Sequence, residues 1–176
     1  DRDAVILLGV EPNTRWRTIS EEVTGLAVEL GVELVVTLGA LLADVPHTRP
    51  APVTGSASDP ELVNELGLTS SRYEGPTGIV GILHDACREA GIPSASLWAA
   101  VPHYVSLAAS PKAALALSER LAALLGTTLD LGDLERAAEA YELQVSAAVA
   151  QDEQTEEYVQ ELETRRRARH EEAQER

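Results

Sequence analysis

Apolar and polar positions divide the first 128 residues into segments with the periods of strands and helices. A continuous apolar run at 5–10 predicts a strand that is buried on both faces, and the run at 32–42 predicts a second buried strand. The segment 94–101 predicts a third strand. The second half of the proline-rich segment 44–58 predicts a further strand. Because helical patterns separate these runs, the alternation favours an α/β fold with a mostly parallel sheet.

The intervening helices are predicted from apolar spacing and from the residues that begin and end them. The first begins near Asn13 or Thr18 and ends at Gly31, and a short one follows Asp59. Another begins after a Thr77 cap, and the last extends from Ser110 to Gly126. These segments complete a predicted α/β core over residues 1–128.

No strand pattern remains beyond residue 128, and apolar residues there recur at spacings of four and three. This predicts a long amphipathic helix over 129–163, followed by a charged, solvated tail at 164–176. We expect the helix to lie outside the core and a second copy of the chain to cover its apolar stripe. The predicted oligomer interface consists of Leu134, Tyr141, Val145, Val159 and Leu162.

Charge and composition narrow the classes of partner. The formal net charge of −15 repels nucleic-acid backbones and anionic membrane surfaces, so neither is an expected partner. One cysteine and the absence of a long apolar span favour the cytoplasm. The chain begins in an apolar run with neither an initiator Met nor a signal-like leader, and we interpret it as a fragment that lacks its N-terminal part.

Candidate chemistry centres on a tripeptide, Val-Pro-His, which occurs at the ends of two predicted strands. Its first copy brings Asp44, His47, Thr48 and Arg49 within six residues, and its second copy contains His103. At the carboxyl edge of a parallel sheet, such groups can bind a phosphate or carboxylate or transfer a proton. Alternatively, Asp44 and Thr48 satisfy turn amides while Arg49 pairs with a local acid.

A helix N-terminus at Thr77 and Gly78 is a second candidate for holding an anion, although close helix packing explains its glycines equally well. The sequence contains one lysine and no phosphate-binding loop. No cysteine and histidine spacing indicates zinc, and no carboxylate cluster indicates a calcium or magnesium site. We therefore predict no metal and no cofactor.

The order of four segments resembles the actinobacterial branch of the proteasome assembly chaperone 2-like family. The segments are EPNTRW, LGALLADVPHTRPAPVTGSAS, YEGPTGIVGIL and YVQELE. The resemblance implies a three-layer α/β/α fold similar to phosphorylases and hydrolases, and a tendency to form homo-oligomers. It also implies, from eukaryotic relatives, a non-catalytic role in assembling the proteasome α-ring. It supplies no catalytic residue.

Two functional hypotheses follow. The first is a non-enzymatic assembly protein that binds itself and proteasome α-subunits. The second is a small-molecule enzyme or sensor with an anion site at the carboxyl ends of the strands. A shared crevice that holds His47, Arg49 and His103 would favour the second hypothesis over the first.

Overall fold

The structure, a computed structural model, describes residues 3–65, 67–68, 78–106 and 109–174. These residues form a mixed α/β arrangement of six helices and three strands. In chain order they are α1 (Trp16–Glu29), β1 (Val35–Ala43), β2 (Val53–Ala57), α2 (Pro60–Glu65), α3 (Ile79–Glu89), β3 (Ser94–Pro102), α4 (Pro111–Leu125), α5 (Gly132–Val149) and α6 (Glu153–Gln174). No helix in the described ranges has the length and apolar character that crossing a membrane requires.

The strands pair in the order β1-β3-β2, and backbone hydrogen bonds give their directions. Val35 N–H donates to the Pro93 carbonyl near the start of β1, and His103 N–H donates to the Ala43 carbonyl at its end, so β1 and β3 are parallel. β2 is antiparallel to β3, because Ser58 N–H donates to the Ser94 carbonyl and Ala100 N–H to that of Pro52. The sequence predicts a mostly parallel sheet, but of the two strand pairs among the described residues only β1 and β3 are parallel.

The physical reason lies in the connection between β1 and β2. A parallel partner needs a crossover, usually a helix, to carry the chain back to the starting edge. The segment between Ala43 and Val53 is short and contains no helix. β2 therefore runs back along β3 in the opposite direction.

The chain divides into two compact units. The first comprises residues 1–39 and 54–98, and the second comprises 40–53 and 99–176. In the first unit α1 packs on α3, and Ala27, Cys87 and Ile92 form a buried cluster. In the second unit α4 packs on α5, and α5 contacts α6. These units do not follow the predicted boundary between residues 128 and 129.

The predicted strand at 5–10 is wrong. These residues have no strand conformation, and Ile6, Leu8 and Val10 are 90%, 95% and 95% exposed. The apolar pattern predicts burial, but an apolar run becomes a strand only where another strand offers its backbone groups. Residues 5–10 instead present an apolar surface to solvent.

The region beyond residue 128 also differs from its prediction, since two helices replace one. The break falls at 150–152, where Asp152 accepts a hydrogen bond of 2.5 Å from Thr155 Oγ1 and its carbonyl accepts one from Glu156 N–H. Asp152 thus bonds to the first turn of a new helix. That helix, α6, extends into the predicted tail as far as Gln174.

Candidate functional site

The carboxyl ends of β1 and β3 meet in the second unit and place the two Val-Pro-His copies side by side. His47 follows β1, and His103 with Tyr104 follows β3. Both imidazole rings contact Tyr104 edge-on, with ring centroids 5.9 Å away for His47 and 5.8 Å for His103. The second copy therefore contributes a tyrosine between the two histidines, a residue that sequence reasoning passed over although it directly follows His103.

His47 is 3% exposed, and its polar atoms have partners in the same unit. Its backbone N–H donates to Tyr104 Oη at 2.8 Å, Nδ1 lies 2.9 Å from that oxygen, and Nε2 lies 3.0 Å from Ser146 Oγ. Burial raises the pKa of Tyr104 to about 12, so the phenol stays protonated. A hydroxyl both donates and accepts, so Tyr104 Oη and Ser146 Oγ pair with the two ring nitrogens in either tautomer of the neutral ring.

The electrostatic surroundings of His47 favour its neutral form. Burial lowers its pKa below the ordinary value of 6.5, and the positive charge of Lys112 lowers the pKa further. The negative charges of Glu142 and Glu163 raise the pKa but do not outweigh these two effects. Lys112 donates to the His47 carbonyl and to Glu142. The single lysine of the chain thus ties the loop after β1 to α5.

Thr48 and Arg49 both bind Glu163, a residue of α6. Thr48 Oγ1 donates to the Glu163 carboxylate, and Arg49 Nε lies 3.0 Å and 3.2 Å from its two oxygens. Although burial raises the pKa of Glu163, these hydrogen bonds and the Arg49 charge lower it below its ordinary value. Arg49 does pair with an acid, as the alternative reading of the loop expected, but that acid is distant in sequence.

Asp44 and His103 form a more exposed pair at the edge of the same cluster. His103 Nδ1 lies 3.1 Å from Asp44 Oδ1, and Tyr158 Oη donates to that oxygen at 3.0 Å. Tyr158 also contacts His103, with ring centroids 5.4 Å apart. All five candidate anion-binding residues are therefore in one unit, in three bonded groups.

A cavity of about 460 Å³ lies beside His47. Its floor includes Ser146, Val149 and Val159, and Thr48 and Glu163 also line it. Arg49, Asp44 and His103 are not in its described lining. The cavity thus takes in one of the two histidines.

The five residues of the predicted oligomer interface are largely buried within the second unit. Four of the five are only 4–7% exposed: Tyr141, Val145, Val159 and Leu162. The first three of these pack with Tyr104 inside the second unit. Leu134 is half-buried. The chain itself covers these four side chains, which removes the reason for assigning them to an interface. Gly78 is the N-cap of α3, without a side-chain cap, and Thr77 lies outside the described residues.

A third histidine, His84, lies in α3. It is half-buried in the first unit, where Nδ1 lies 2.8 Å from Ser94 Oγ and Nε2 3.3 Å from Thr37 Oγ1. Burial lowers its pKa below 6.5.

Comparison with known proteins agrees with this architecture. The family model that matches is the PAC2 family, over residues 1–149. The chain belongs to the PAC2 family. No curated protein matches it.

Three solved structures illustrate the likeness. A PAC2 family protein from Streptomyces avermitilis is 54% identical, with a TM-score of 0.78, over 86% of this chain and 63% of that one. A proteasome-assembly chaperone homologue from Mycobacterium tuberculosis is 50% identical, with a TM-score of 0.76, over 86% and 64%. PbaA from Pyrococcus furiosus, an archaeal homologue of proteasome-assembly chaperone, is 22% identical, with a TM-score of 0.61 over 88% of this chain and 64% of that one. At this identity the likeness shows a shared fold only.

The first two relatives confirm the resemblance to actinobacterial members of this family. The chain spans 63% and 64% of the lengths of these two proteins.

Proposed function

We propose that this chain is a non-enzymatic assembly protein of the cytoplasm that binds other proteins, as proteasome assembly chaperones do. Membership of the PAC2 family and the 50% identity to a proteasome-assembly chaperone homologue support the proposal. Its partners are further copies of the chain, in a homo-oligomer, and proteasome α-subunits. Its fold is the three-layer α/β/α arrangement of phosphorylase-like proteins.

The observation that carries the non-enzymatic reading is the pairing of polar groups at the strand ends. Arg49, which an anion site requires, is bonded to Glu163. Both ring nitrogens of His47 are already bonded to hydroxyls of the chain, Nδ1 to Tyr104 Oη and Nε2 to Ser146 Oγ. Such contacts order the loops after β1 and β3, and ordered loops present a fixed surface to a protein partner.

Reconstitution with proteasome subunits of an actinobacterium tests this proposal. Purified α- and β-subunits are mixed with and without the protein, and native mass spectrometry follows free subunits, α-rings and complexes. We expect a complex with α-subunits and faster ring formation. An unrelated protein of similar negative charge is the control, because a net charge of −15 by itself attracts basic surfaces. Equal effects of both proteins, or no complex, would contradict the proposal.

The cavity beside His47 favours a second candidate, a small-molecule enzyme or sensor that binds an anion. Here Arg49 would leave Glu163 to meet the ligand, with His47 and Thr48 beside it. Calorimetric titration with phosphate, nucleosides and small carboxylic acids tests this candidate in wild type and Arg49→Ala. Binding that Arg49→Ala abolishes would support it, and no binding in either protein would remove it.

A further inference from the structure

A groove between α1 and α3 lies in the first unit, apart from the residues discussed above. Its volume is about 350 Å³. An indole, a hydroxyl and several charged groups line it, contributed by Trp16, Arg17, Ser20, Glu21, Asp85 and Glu89. None of these residues enters the proposed function.

Ser20 supplies the observation that points to a ligand. The residue is 1% exposed, and its Oγ has no hydrogen-bond partner among the described residues. Thr24, one turn later on the same helix, does have hydrogen-bond partners. Its Oγ1 donates to the Ser20 carbonyl at 2.9 Å and lies 3.1 Å from the Glu21 carbonyl oxygen. A buried hydroxyl without a partner is unfavourable, and a ligand in the groove can supply the missing hydrogen bond.

The charges around the groove select a cation. Glu21, Asp85 and Glu89 face a single guanidinium, Arg17, within the lining. Asp85 also pairs with Arg88 at 2.8 Å, which leaves the two glutamates against Arg17. The excess is therefore negative, as it is for the whole chain.

The kind of cation follows from the other groups. An indole ring attracts a cation to its face, and Trp16 is held in place by donating its Nε1–H to the Pro12 carbonyl. Within the described ranges no group of three or more His, Cys, Asp or Glu side chains is placed to hold a metal ion, so an organic cation fits better. Ser20 Oγ can accept a hydrogen bond from a cation that carries N–H groups, which a quaternary ammonium lacks.

We propose that the groove between α1 and α3 binds a primary alkylammonium group. Its N–H groups donate to Ser20 Oγ and to the carboxylates of Glu21 and Glu89, while its alkyl chain lies against Trp16. This chemistry has two sources, a free polyamine and a lysine side chain of a partner protein.

The two tryptophans of the chain permit a direct test on residues 1–176. Trp16 lines the groove, whereas Trp98 lies in β3 beside Gly39 and serves as an internal reference. Indole N–H signals of 15N-labelled protein are recorded during titration with spermidine and, separately, with N-acetyl-lysine methylamide; Trp98→Phe assigns them. We expect a saturable shift of the Trp16 signal and none of the Trp98 signal. Tighter binding of spermidine would identify the free polyamine, and tighter binding of the lysine derivative the partner side chain.

Variants separate a built site from general attraction to an acidic protein. Ser20→Ala and Glu89→Gln should each weaken binding about tenfold, because each removes an acceptor for a charged donor. Glu22→Gln removes the same charge from α1 outside the lining and should leave binding unchanged. Circular dichroism checks that the variants remain folded.

Three results would overturn the proposal. The first is no shift of the Trp16 signal with either probe. The second is an equal shift with sodium or with tetramethylammonium, which has no N–H group. The third is an equal loss of affinity in Glu22→Gln and Glu89→Gln.

Discussion

His47 has bonded partners at its backbone N–H, Nδ1 and Nε2, all of which suit a neutral ring. A second ring proton would turn both ring nitrogens into donors and place a charge in a site that is 3% exposed. The unfolded chain, where the pKa of histidine is ordinary, takes up that proton more readily. Folding is therefore linked to pH through this residue.

The free energy of unfolding should fall as the pH drops below 6.5, the ordinary pKa of histidine. The folded-state pKa of His47 is depressed, so its stabilising effect is complete above 6.5 and is lost as the pH falls through the lower value. Urea unfolding at about pH 7.5 and about pH 5.5 measures the loss, which should be smaller in His47→Gln because glutamine does not titrate.

Ser146→Ala is the matched control for this measurement. It removes the partner of Nε2 but keeps the titrating ring, so the loss of stability between the two pH values should remain. His84, whose pKa burial also lowers, accounts for part of the wild-type loss and remains in both variants. An equal loss in wild type and His47→Gln would contradict the linkage.

Single residues also show what the sequence could and could not predict of the candidate site. The Val-Pro-His copies marked the loops at the ends of β1 and β3, because a proline after a strand has a local signature. Glu163 went unnoticed because its contacts with Thr48 and Arg49 join positions 115 and 114 residues apart. Ser146 and Tyr104 are ordinary residues by type, and only the fold brings their oxygens to His47.

At the scale of elements, signals confined to one turn predicted well. Ser110, Pro111 and Gly126 predicted both ends of α4, and in the structure Ser110 Oγ accepts from Ala113 N–H at 3.3 Å while Gly126 has a φ of 64°. Strand direction and pairing failed, because they depend on distant segments. The run at 5–10 and the direction of β2 are the two examples.

Two glycines should respond in opposite ways to substitution by alanine. A Cβ at Gly55 in β2 would lie 2.6 Å from the Ser96 carbonyl oxygen of β3, so Gly55→Ala must move backbone and should destabilise the protein. A Cβ at Gly25 in α1 meets nothing within 4 Å, so Gly25→Ala should stabilise it. The expected gain is about 0.5–1 kcal/mol, from helix propensity. Thermal unfolding compares the two, and a gain in Gly55→Ala would refute the strand contact.

The stability of the second unit should depend on Leu162 of α6, which is 4% exposed. Leu162→Ala should lower the free energy of unfolding by about 2–5 kcal/mol, the usual range for a buried leucine. Leu143→Ala, at a position of α5 that is 73% exposed, is the control and should change it little. Because Leu162 is covered within the chain, sedimentation should give the same oligomeric state for wild type and Leu162→Ala. A changed oligomeric state at unchanged stability would restore Leu162 to an interface.

At the scale of the whole molecule, apolar exposure and charge oppose each other. The chain carries a net charge of −15, which keeps copies apart in dilute salt. Residues 5–10 nevertheless expose a run of large apolar side chains, and exposed apolar surface favours association. Self-association is therefore expected to begin at this run, and the buried residues of α5 and α6 have no part in it.

Replacing Ile6 and Leu8 together by serine should weaken self-association, because the change removes apolar surface without altering the net charge. Analytical ultracentrifugation at low and high salt measures the effect. In wild type, association should increase with salt, which screens the repulsion between copies, and the double variant should show a smaller increase. Its stability should match that of wild type, since Ile6 and Leu8 are 90% and 95% exposed. Leu143→Ser, at an isolated exposed leucine, should associate like wild type. If the double variant instead associates as strongly as wild type, association uses another surface; if it loses stability, residues 5–10 are buried in solution.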